Sequence, residues 1–269
     1  MKNAADTFQA IVSERRSIRA FKPDRVSRDI IDAVFAPALR APSNCNTQPW
    51  FVHIVTGDKL EQLREALPAA FAAGDVAPDF PYDGVYEGVY RDRQYGAAKA
   101  LYDALGIPRE EKAKRQEWFL GNFRFFDAPA VAFFMLPDGF GLREACDLGM
   151  FTQTVMLGLT AQGLGSCPQT ALGFMAKQIR DVIDVPTHHK LMFGLSFGYP
   201  AEALPSHHRC CRGSRDTIQP GPGKPVGQEQ SGKIKGDRRK PDIWTLSAHC
   251  NLIDRSIASL CFVSAPIEM

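Results

Sequence analysis

The sequence has no apolar run long enough to cross a membrane. Its longest apolar stretch, residues 128–136, is far shorter than the roughly 20 residues that a membrane-spanning helix needs. Residues 1–10 also lack the apolar centre of a secretory signal. From these two absences we expect no membrane association and a cytoplasmic location.

Strong net charge and paired cysteines are also lacking. The 269 residues include 32 Lys and Arg against 30 Asp and Glu, a net charge of +2, whereas nucleic-acid binding usually needs a concentrated positive field. The seven cysteines are odd in number, and Cys45, Cys146 and Cys167 show no spacing typical of a disulfide framework. We therefore expect no nucleic-acid partner and a reducing compartment.

Helical and strand patterns alternate along the first 205 residues. Strands are predicted at 50–56, 130–136 and 190–197, where apolar or β-branched residues run together, with the run at 130–136 covered on both faces. Apolar residues at helical spacing predict the helices, which are 6–16, 27–38, 59–67, 95–105, 110–122, 143–162 and 177–183. Helices alternating with a few apolar strands are typical of an α+β sandwich.

A basic cluster lies where the first predicted helix ends. Arg15, Arg16, Ser17 and Arg19 fall within a short segment and supply guanidinium groups and a hydroxyl that can clasp a phosphate and the polar edge of a cofactor. The alternative is a solvated basic helix end, favourable to the helix dipole. The cluster alone does not separate these two interpretations.

A second polar segment, residues 41–50, has the sequence Ala-Pro-Ser-Asn-Cys-Asn-Thr-Gln-Pro-Trp. Its hydroxyl and amide side chains lie between two prolines and directly before a predicted strand. Such a rigid loop offers hydrogen-bond donors and acceptors in fixed directions, which suits the edge of a heteroaromatic ring. A simple turn explains the Pro and Asn residues but not the density of amide groups.

Together these segments resemble the opening signature of the nitroreductase family, a group of FMN enzymes. The similarity continues in the second half of the chain, with Asp-Leu-Gly at 147–149, Gly-Leu-Gly-Ser-Cys-Pro-Gln at 163–169 and Phe-Gly-Tyr-Pro at 197–200, and covers roughly residues 8 to 203. Residues 95–98 and 122–129 are most similar to the branch that acts on nitroaromatic compounds. The resemblance implies a three-layer α+β sandwich, with a central, mostly antiparallel sheet flanked by helices, that forms a homodimer.

The resemblance also implies where FMN is held. The basic cluster would contact the phosphate, the ribityl chain and the pyrimidine edge, the loop at 41–50 would face the flavin across the dimer interface, and residues 166–170 would pass beside the isoalloxazine ring. The implied FMN-binding residues are Arg15, Arg16, Ser17, Arg19, Pro42, Ser43, Asn46, Gln48, Ser166, Cys167, Pro168, Gln169, Thr170 and Arg209. No residue is expected to act as a general acid or nucleophile, and no metal is expected.

The activity implied by the resemblance is a ping-pong reduction. NADH or NADPH would reduce the flavin, and a small aromatic electron acceptor would then take its place, so that a nitro group is reduced to nitroso and hydroxylamino products. Residues 80–95 and 118–126 would line the acceptor site. Two alternatives remain: reductive dehalogenation or another flavin reduction on the same fold, and a flavin-binding protein without turnover.

The last part of the chain departs from the family pattern. We divide the sequence into an FMN-binding domain at 1–205 and a basic tail at 206–269, where Gly and Pro accumulate, periodicity is lost and four of the seven cysteines occur. Disorder and a shifted reading frame are both open interpretations of this tail. Its His207, His208, Cys210 and Cys211 do not have the spacing of a zinc module.

Two histidine positions are interpreted as structural. His53 lies in a predicted strand, where we expect it to be packed or hydrogen-bonded rather than catalytic. His188 and His189 precede the last predicted strand and are expected in a surface turn.

Overall fold

A computed structural model describes residues 3–82 and 84–202 of the chain. This part is an α+β structure in which one four-stranded antiparallel sheet, of order β1-β2-β4-β3, lies between helical layers. The strands are β1 (Phe51–Thr56), β2 (Ala130–Pro137), β3 (Gly165–Gln169) and β4 (His189–Gly198). The helices are α1 (Ala4–Glu14), α2 (Arg28–Ala38), α3 (Gly57–Ala72), α4 (Gly88–Ala104), α5 (Lys112–Leu120), α6 (Leu142–Ala161) and α7 (Ala176–Ile183).

The central strand β2 shows why the molecule has three layers. Seven of its eight residues are buried, and successive side chains point to opposite faces of the sheet. Val131, Phe133 and Met135 pack with buried residues of α3 and α7, including Leu60, Leu63, Leu67 and Ile179. Ala132 and Phe134 pack on the other face with residues of α2 and α6, including Val34, Phe35, Phe151 and Val155. The predicted α+β sandwich with an antiparallel sheet is confirmed.

The helix termini follow local sequence signals. Ser27 caps α2, because its side chain accepts a hydrogen bond from the backbone N–H of Ile30. Asn3 caps α1, because its side chain accepts a hydrogen bond from the backbone N–H of Asp6, so the helix begins two residues before the predicted start at residue 6.

Strand β3 is the main element that the sequence did not indicate. No strand was predicted at residues 165–169, but they pair with β4 in antiparallel register, with Ser166 opposite Phe197. The segment contains Gly and Pro and lacks a β-branched residue, so its strand propensity is low. Pro168 is tolerated because β3 lies at the edge of the sheet.

Of the two histidines near the start of β4, His188 lies exposed in a turn as predicted, but His189 does not. His189 is buried, and Phe51 stacks on its ring with centroids 3.9 Å apart, whereas a surface turn was predicted. His53 lies 5.8 Å from His189, centroid to centroid, and its Nε2 atom is buried without a hydrogen-bond partner within the described residues. His53 is therefore packed, as expected, rather than hydrogen-bonded through Nε2.

Among the residues that the structure describes, no helix is both long and apolar enough to cross a membrane. The predicted tail at 206–269 lies outside the described residues. It includes Arg209, His207, His208, Cys210 and Cys211.

Candidate flavin site

The basic cluster is joined to the sheet by backbone pairing. Ser17 forms a parallel bridge with Ser166, and the N–H of Ile18 donates to the carbonyl oxygen of Ser166 at 2.9 Å. A few residues later, the N–H of Lys22 donates to the carbonyl oxygen of Tyr199 at 2.8 Å. The chain after α1 therefore runs along β3 and the end of β4, which brings two of the three predicted binding segments side by side.

We call the contact between the basic segment and β3 the seam. Close packing at the seam depends on Gly165. A Cβ atom at this position would lie 2.7 Å from Cγ1 and 2.9 Å from Cβ of Ile18. Ile18 is itself buried in the core on the α3 side of the sheet. Glycine thus allows the basic segment to approach β3 closely enough for the backbone hydrogen bond to form.

The arginines of the basic segment are placed to bind an anion that accepts hydrogen bonds. Arg16 is exposed, and its Nε donates to the carbonyl oxygen of Glu14 at 3.3 Å. Arg19 is partly buried, with its guanidinium carbon 5.9 Å from the ring centroid of Phe126. Within residues 3–82 and 84–202, no carboxylate forms an ion pair with Arg16 or Arg19. Guanidinium groups without carboxylate partners beside a strand edge fit an anionic, hydrogen-bond-accepting cofactor such as FMN.

The residues of β3, and Thr170 that follows it, divide into buried and exposed sets. Ser166, Cys167 and Gln169 are buried, whereas Pro168 and Thr170 are exposed. Burial raises the pKa of the Cys167 thiol to about 11, and the positive charge of Arg19 opposes this shift only in part. Cys167 is therefore protonated at neutral pH, and a buried thiol is a poor nucleophile.

The side chain of Gln169 forms hydrogen bonds within the protein. Its Oε1 accepts a hydrogen bond from the hydroxyl of Ser196 on β4, and its Nε2 donates to the carbonyl oxygen of Asn122 at 2.8 Å. These bonds tie β3 to the segment that follows α5. Any contact of Gln169 with a cofactor would therefore be made through its backbone.

The polar loop before β1 is anchored on α6. The carboxylate Oδ2 of Asp147 accepts a hydrogen bond from the backbone N–H of Asn44 at 3.0 Å, and Asp147 is only 4% exposed. Within the loop, the hydroxyl of Ser43 accepts a hydrogen bond from the N–H of Gln48 at 3.0 Å. The Trp50 ring at the end of the loop stacks on Phe151 of α6, with centroids 4.9 Å apart. The loop is thus fixed by α6, while the basic segment is fixed by β3.

The loop has an unusual backbone. Cys45, Asn46 and Gln48 have φ angles of 49°, 56° and 46°, in the left-handed region that residues other than glycine seldom adopt. The bonds from Asp147 and Ser43 offset this cost. Pro42, Asn46 and Gln48 are exposed and Ser43 is partly buried, so the polar face of the loop points outward. The sequence offered one signal for Asp147, the Asp-Leu-Gly motif, but not its role as the anchor of this loop.

Four exposed tyrosines occur in the segment that leads into α4 and on α4 itself. Tyr82 lies 6.1 Å from Phe174, centroid to centroid, and its hydroxyl is 3.2 Å from that of Tyr86. Tyr90 and Tyr95 on α4 are also exposed. The preceding segment is tied down by Asp79, whose carboxylate accepts the N–H of Leu191 at 2.8 Å and pairs with Arg180. The contacting pair Tyr82 and Tyr86, which we call the tyrosine cluster, belongs to residues 80–95, the range that the sequence predicted to line the acceptor site.

Comparisons with known proteins point to the same chemistry. A model of the nitroreductase family matches residues 12–199. The nitroreductase NfnB of Mycolicibacterium smegmatis is 42% identical over 196 residues, which cover 72% of this chain and 83% of that protein. A 4-nitrobenzoate reductase of Pseudomonas putida is 33% identical over 197 residues, covering 73% of this chain and 87% of that protein. The crystal structure of the FMN-dependent nitroreductase NfnB from Mycobacterium smegmatis, in complex with NADPH, superposes with a TM-score of 0.78 at 38% identity, covering 81% of this chain and 99% of that one.

Proposed function

This chain belongs to the nitroreductase family, and we propose that it is a cytoplasmic, homodimeric FMN enzyme that reduces nitroaromatic compounds with NADPH or NADH. The family resemblance seen in the sequence is confirmed by the family model and by relatives that include a 4-nitrobenzoate reductase and a nitrobenzene nitroreductase. The NfnB nitroreductase of Mycobacterium smegmatis, whose crystal structure resembles this chain, is FMN-dependent and binds NADPH.

The observation that carries this proposal is the pairing of Ser17 with Ser166. It places the Arg15 to Arg19 segment along β3, so that guanidinium groups, a hydroxyl and strand-edge backbone groups converge from distant parts of the sequence. A flavin phosphate and the polar edge of its ring need cations and hydrogen-bond donors in this kind of arrangement. The bound flavin would accept a hydride from the nicotinamide and pass electrons to the acceptor.

The protein residues would bind and orient rather than react. Arg15, Arg16, Ser17 and Arg19 would hold the phosphate, the ribityl chain and the pyrimidine edge. Ser166 to Thr170 would lie beside the ring system, with Cys167 and Gln169 contributing backbone groups because their side chains are buried. The tyrosine cluster would provide flat apolar surfaces for a small, planar aromatic acceptor.

A homodimer would complete the site. The side chains of Leu142 and Met150 are exposed on α6, at 88% and 42%, and Phe8 is exposed at 62% on the neighbouring α1. Exposed apolar side chains on adjacent helices are typical of a surface that another subunit covers. Because the polar loop is anchored on this same α6, a second copy would bring its Pro42, Ser43, Asn46 and Gln48 toward the flavin of the first.

The direct test uses the purified full-length chain. We expect a yellow protein with FMN bound at one per subunit, which loses its visible absorbance when NADPH or NADH is added without oxygen. Subsequent 4-nitrobenzoate should restore the flavin absorbance and yield the hydroxylamino product, with two nicotinamides oxidised per nitro group. A folded protein that stays colourless after incubation with FMN would refute the proposal. Reduction by the nicotinamide without reoxidation by any nitroaromatic compound would refute the proposed acceptor.

A further inference from the structure

The connection between α5 and β2 contains three successive residues in a left-handed conformation. Phe125, Phe126 and Asp127 have φ angles of 59°, 51° and 61°, and none of them is glycine. L-residues adopt this conformation as isolated cases, because Cβ then crowds the following carbonyl oxygen. A run of three, which we call the left-handed turn, needs support from its surroundings.

Arg64 on α3 supplies this support from both sides of the turn. Its Nε donates to the carbonyl oxygen of Arg124 at 3.2 Å, and its Nη2 donates to the carbonyl oxygen of Ala128 at 2.8 Å. The Arg64 side chain is 20% exposed, so these charge-assisted hydrogen bonds are partly shielded from water. The planar guanidinium thus brackets the left-handed turn, which a lysine, with a single charged nitrogen, could not do in the same way.

The turn directs two aromatic rings to different places. The ring of Phe125 is fully buried and meets Phe133 of β2 edge to face, with centroids 6.2 Å apart. The ring of Phe126 is 6% exposed and lies against the guanidinium of Arg19, 5.9 Å from centroid to guanidinium carbon. This distance is within the range of a cation–π contact.

A simple connection between a helix and a strand does not require this conformation. Glycine would adopt it without strain, but glycine would place no ring against Arg19. Gly121 lies close to the turn, where a Cβ atom would be 3.0 Å from the Phe126 ring. The same segment is tied to β3 through Asn122, which accepts the hydrogen bond from Gln169. The segment from Asn122 to the turn therefore contacts β3 through Asn122 and the basic segment through Phe126.

We propose that Arg64 is a positioning residue for the flavin site, which acts by holding the left-handed turn so that Phe126 orients the guanidinium of Arg19. This inference rests on the proposed function, since it assumes that Arg19 binds FMN. Arg64 itself would contact neither FMN nor substrate. Its loss would weaken FMN binding because Arg19 would sample more conformations that point away from the cofactor.

The test measures the FMN dissociation constant of the full-length protein by fluorescence titration, beside the thermal midpoint of the FMN-free form. We expect Arg64→Met and Phe126→Leu each to weaken FMN binding by about tenfold. Phe126→Tyr, which keeps a ring, should restore most of the affinity, and Arg64→Lys should be intermediate. Glu61→Gln is the matched control, because it removes the ion pair of Arg64 with Glu61 and leaves the bonds to the turn.

A double variant separates positioning from general destabilisation. If Arg64 acts through Phe126, the combination Arg64→Met/Phe126→Leu should bind FMN no more than about twofold more weakly than either single variant. Additive losses of FMN affinity that parallel a fall in the thermal midpoint would overturn the inference. Wild-type FMN affinity in folded Arg64→Met and Phe126→Leu would also overturn it. If Arg64→Met does not fold, the FMN affinities and thermal midpoints of Arg64→Lys, Phe126→Leu and Phe126→Tyr are compared by the same criteria. A wild-type protein that binds no FMN would instead refute the proposed function itself.

Discussion

The backbone N–H of Ile18 donates a hydrogen bond to the carbonyl oxygen of Ser166 at 2.9 Å, and so joins the segment after α1 to the edge strand β3. On the basic segment, Ile18 lies between Arg16 and Arg19 in sequence. On β3, Ser166 is followed by Cys167. The geometry of the proposed FMN site therefore depends on how closely these two segments approach. Changes at the seam should affect cofactor binding as well as stability.

Gly165→Ala should disturb the seam directly. The added Cβ would lie within 2.7 to 3.0 Å of three atoms of the Ile18 side chain, so one of the segments must shift. We expect a loss of roughly 1–3 kcal/mol in the free energy of unfolding, together with weaker FMN binding. Denaturant unfolding and FMN titration measure the two effects. Gly96→Ala on α4 is the control, since a Cβ there meets nothing within 4 Å and should leave FMN affinity unchanged.

Arg19→Ala should remove a charged contact to the flavin while the fold is kept. A hydrogen bond to a charged group contributes about 1.5–3 kcal/mol, so we expect FMN affinity to fall by about tenfold or more. Equilibrium dialysis or fluorescence titration measures the dissociation constant. Arg28→Ala serves as the comparison, because Arg28 is an exposed residue of α2 that pairs with Asp32. Equal affinity in both variants would contradict the assignment of Arg19.

Asp147→Ala should loosen the polar loop before β1. It removes the carboxylate that accepts the N–H of Asn44, in a loop where three other residues have positive φ. We expect a loss of about 1–2 kcal/mol in stability and weaker FMN binding in the dimer. Asp147→Asn retains an oxygen acceptor and should recover most of both. If the Asn and Ala variants behave alike, the hydrogen bond to Asn44 is not what holds the loop.

His53 should make the protein sensitive to acid. Burial, with a further contribution from His189, lowers the pKa of His53 from 6.5 to about 4. The unfolded chain therefore takes up a proton before the folded protein does, so the stabilisation is complete above pH 6.5 and is lost as the pH falls toward 4. We expect His53 to lower the free energy of unfolding by on the order of 2 kcal/mol between pH 7.5 and pH 5.

Urea unfolding at these two pH values measures this effect. His53→Phe should lose less stability on acidification than the wild type, because the unfolded variant has no imidazole to protonate at this position. His188→Gln is the control, since His188 is exposed. An identical pH dependence in the wild type and His53→Phe would show that His53 is not responsible.

The cysteines of the described chain should differ in reactivity. Cys45 and Cys146 are exposed, whereas Cys167 is buried and its pKa is raised to about 11. Only a thiolate reacts rapidly with alkylating reagents, so maleimide at neutral pH should spare Cys167 until the protein unfolds. It should label Cys45 and Cys146 once the proposed homodimer is diluted to single subunits, because these cysteines lie on the loop and the α6 face that the second subunit would cover. Peptide mass spectrometry after brief labelling distinguishes the three sites. Rapid labelling of Cys167 in the native protein would contradict its burial.

The sequence by itself determined the class of the fold and the identity of the candidate segments. Residues 130–136 form a continuous apolar run, and the structure shows them as β2, buried on both faces. The basic cluster and the polar loop were recognisable because charge, amide groups and proline are local properties of a segment. The order of these motifs was enough to indicate the family, which the family model confirms.

Only the tertiary structure decided which of these segments meet. The pairing of Ile18 with Ser166 joins residues distant in sequence, and no local signal marks 165–169 as a strand, because an edge strand can form from residues of low propensity when a neighbour supplies the hydrogen bonds. The inward direction of the Gln169 side chain, the burial of His189 and the bracketing of the left-handed turn by Arg64 are likewise set by packing between elements. Such contacts depend on the whole fold, whereas periodicity and composition report only on each segment alone.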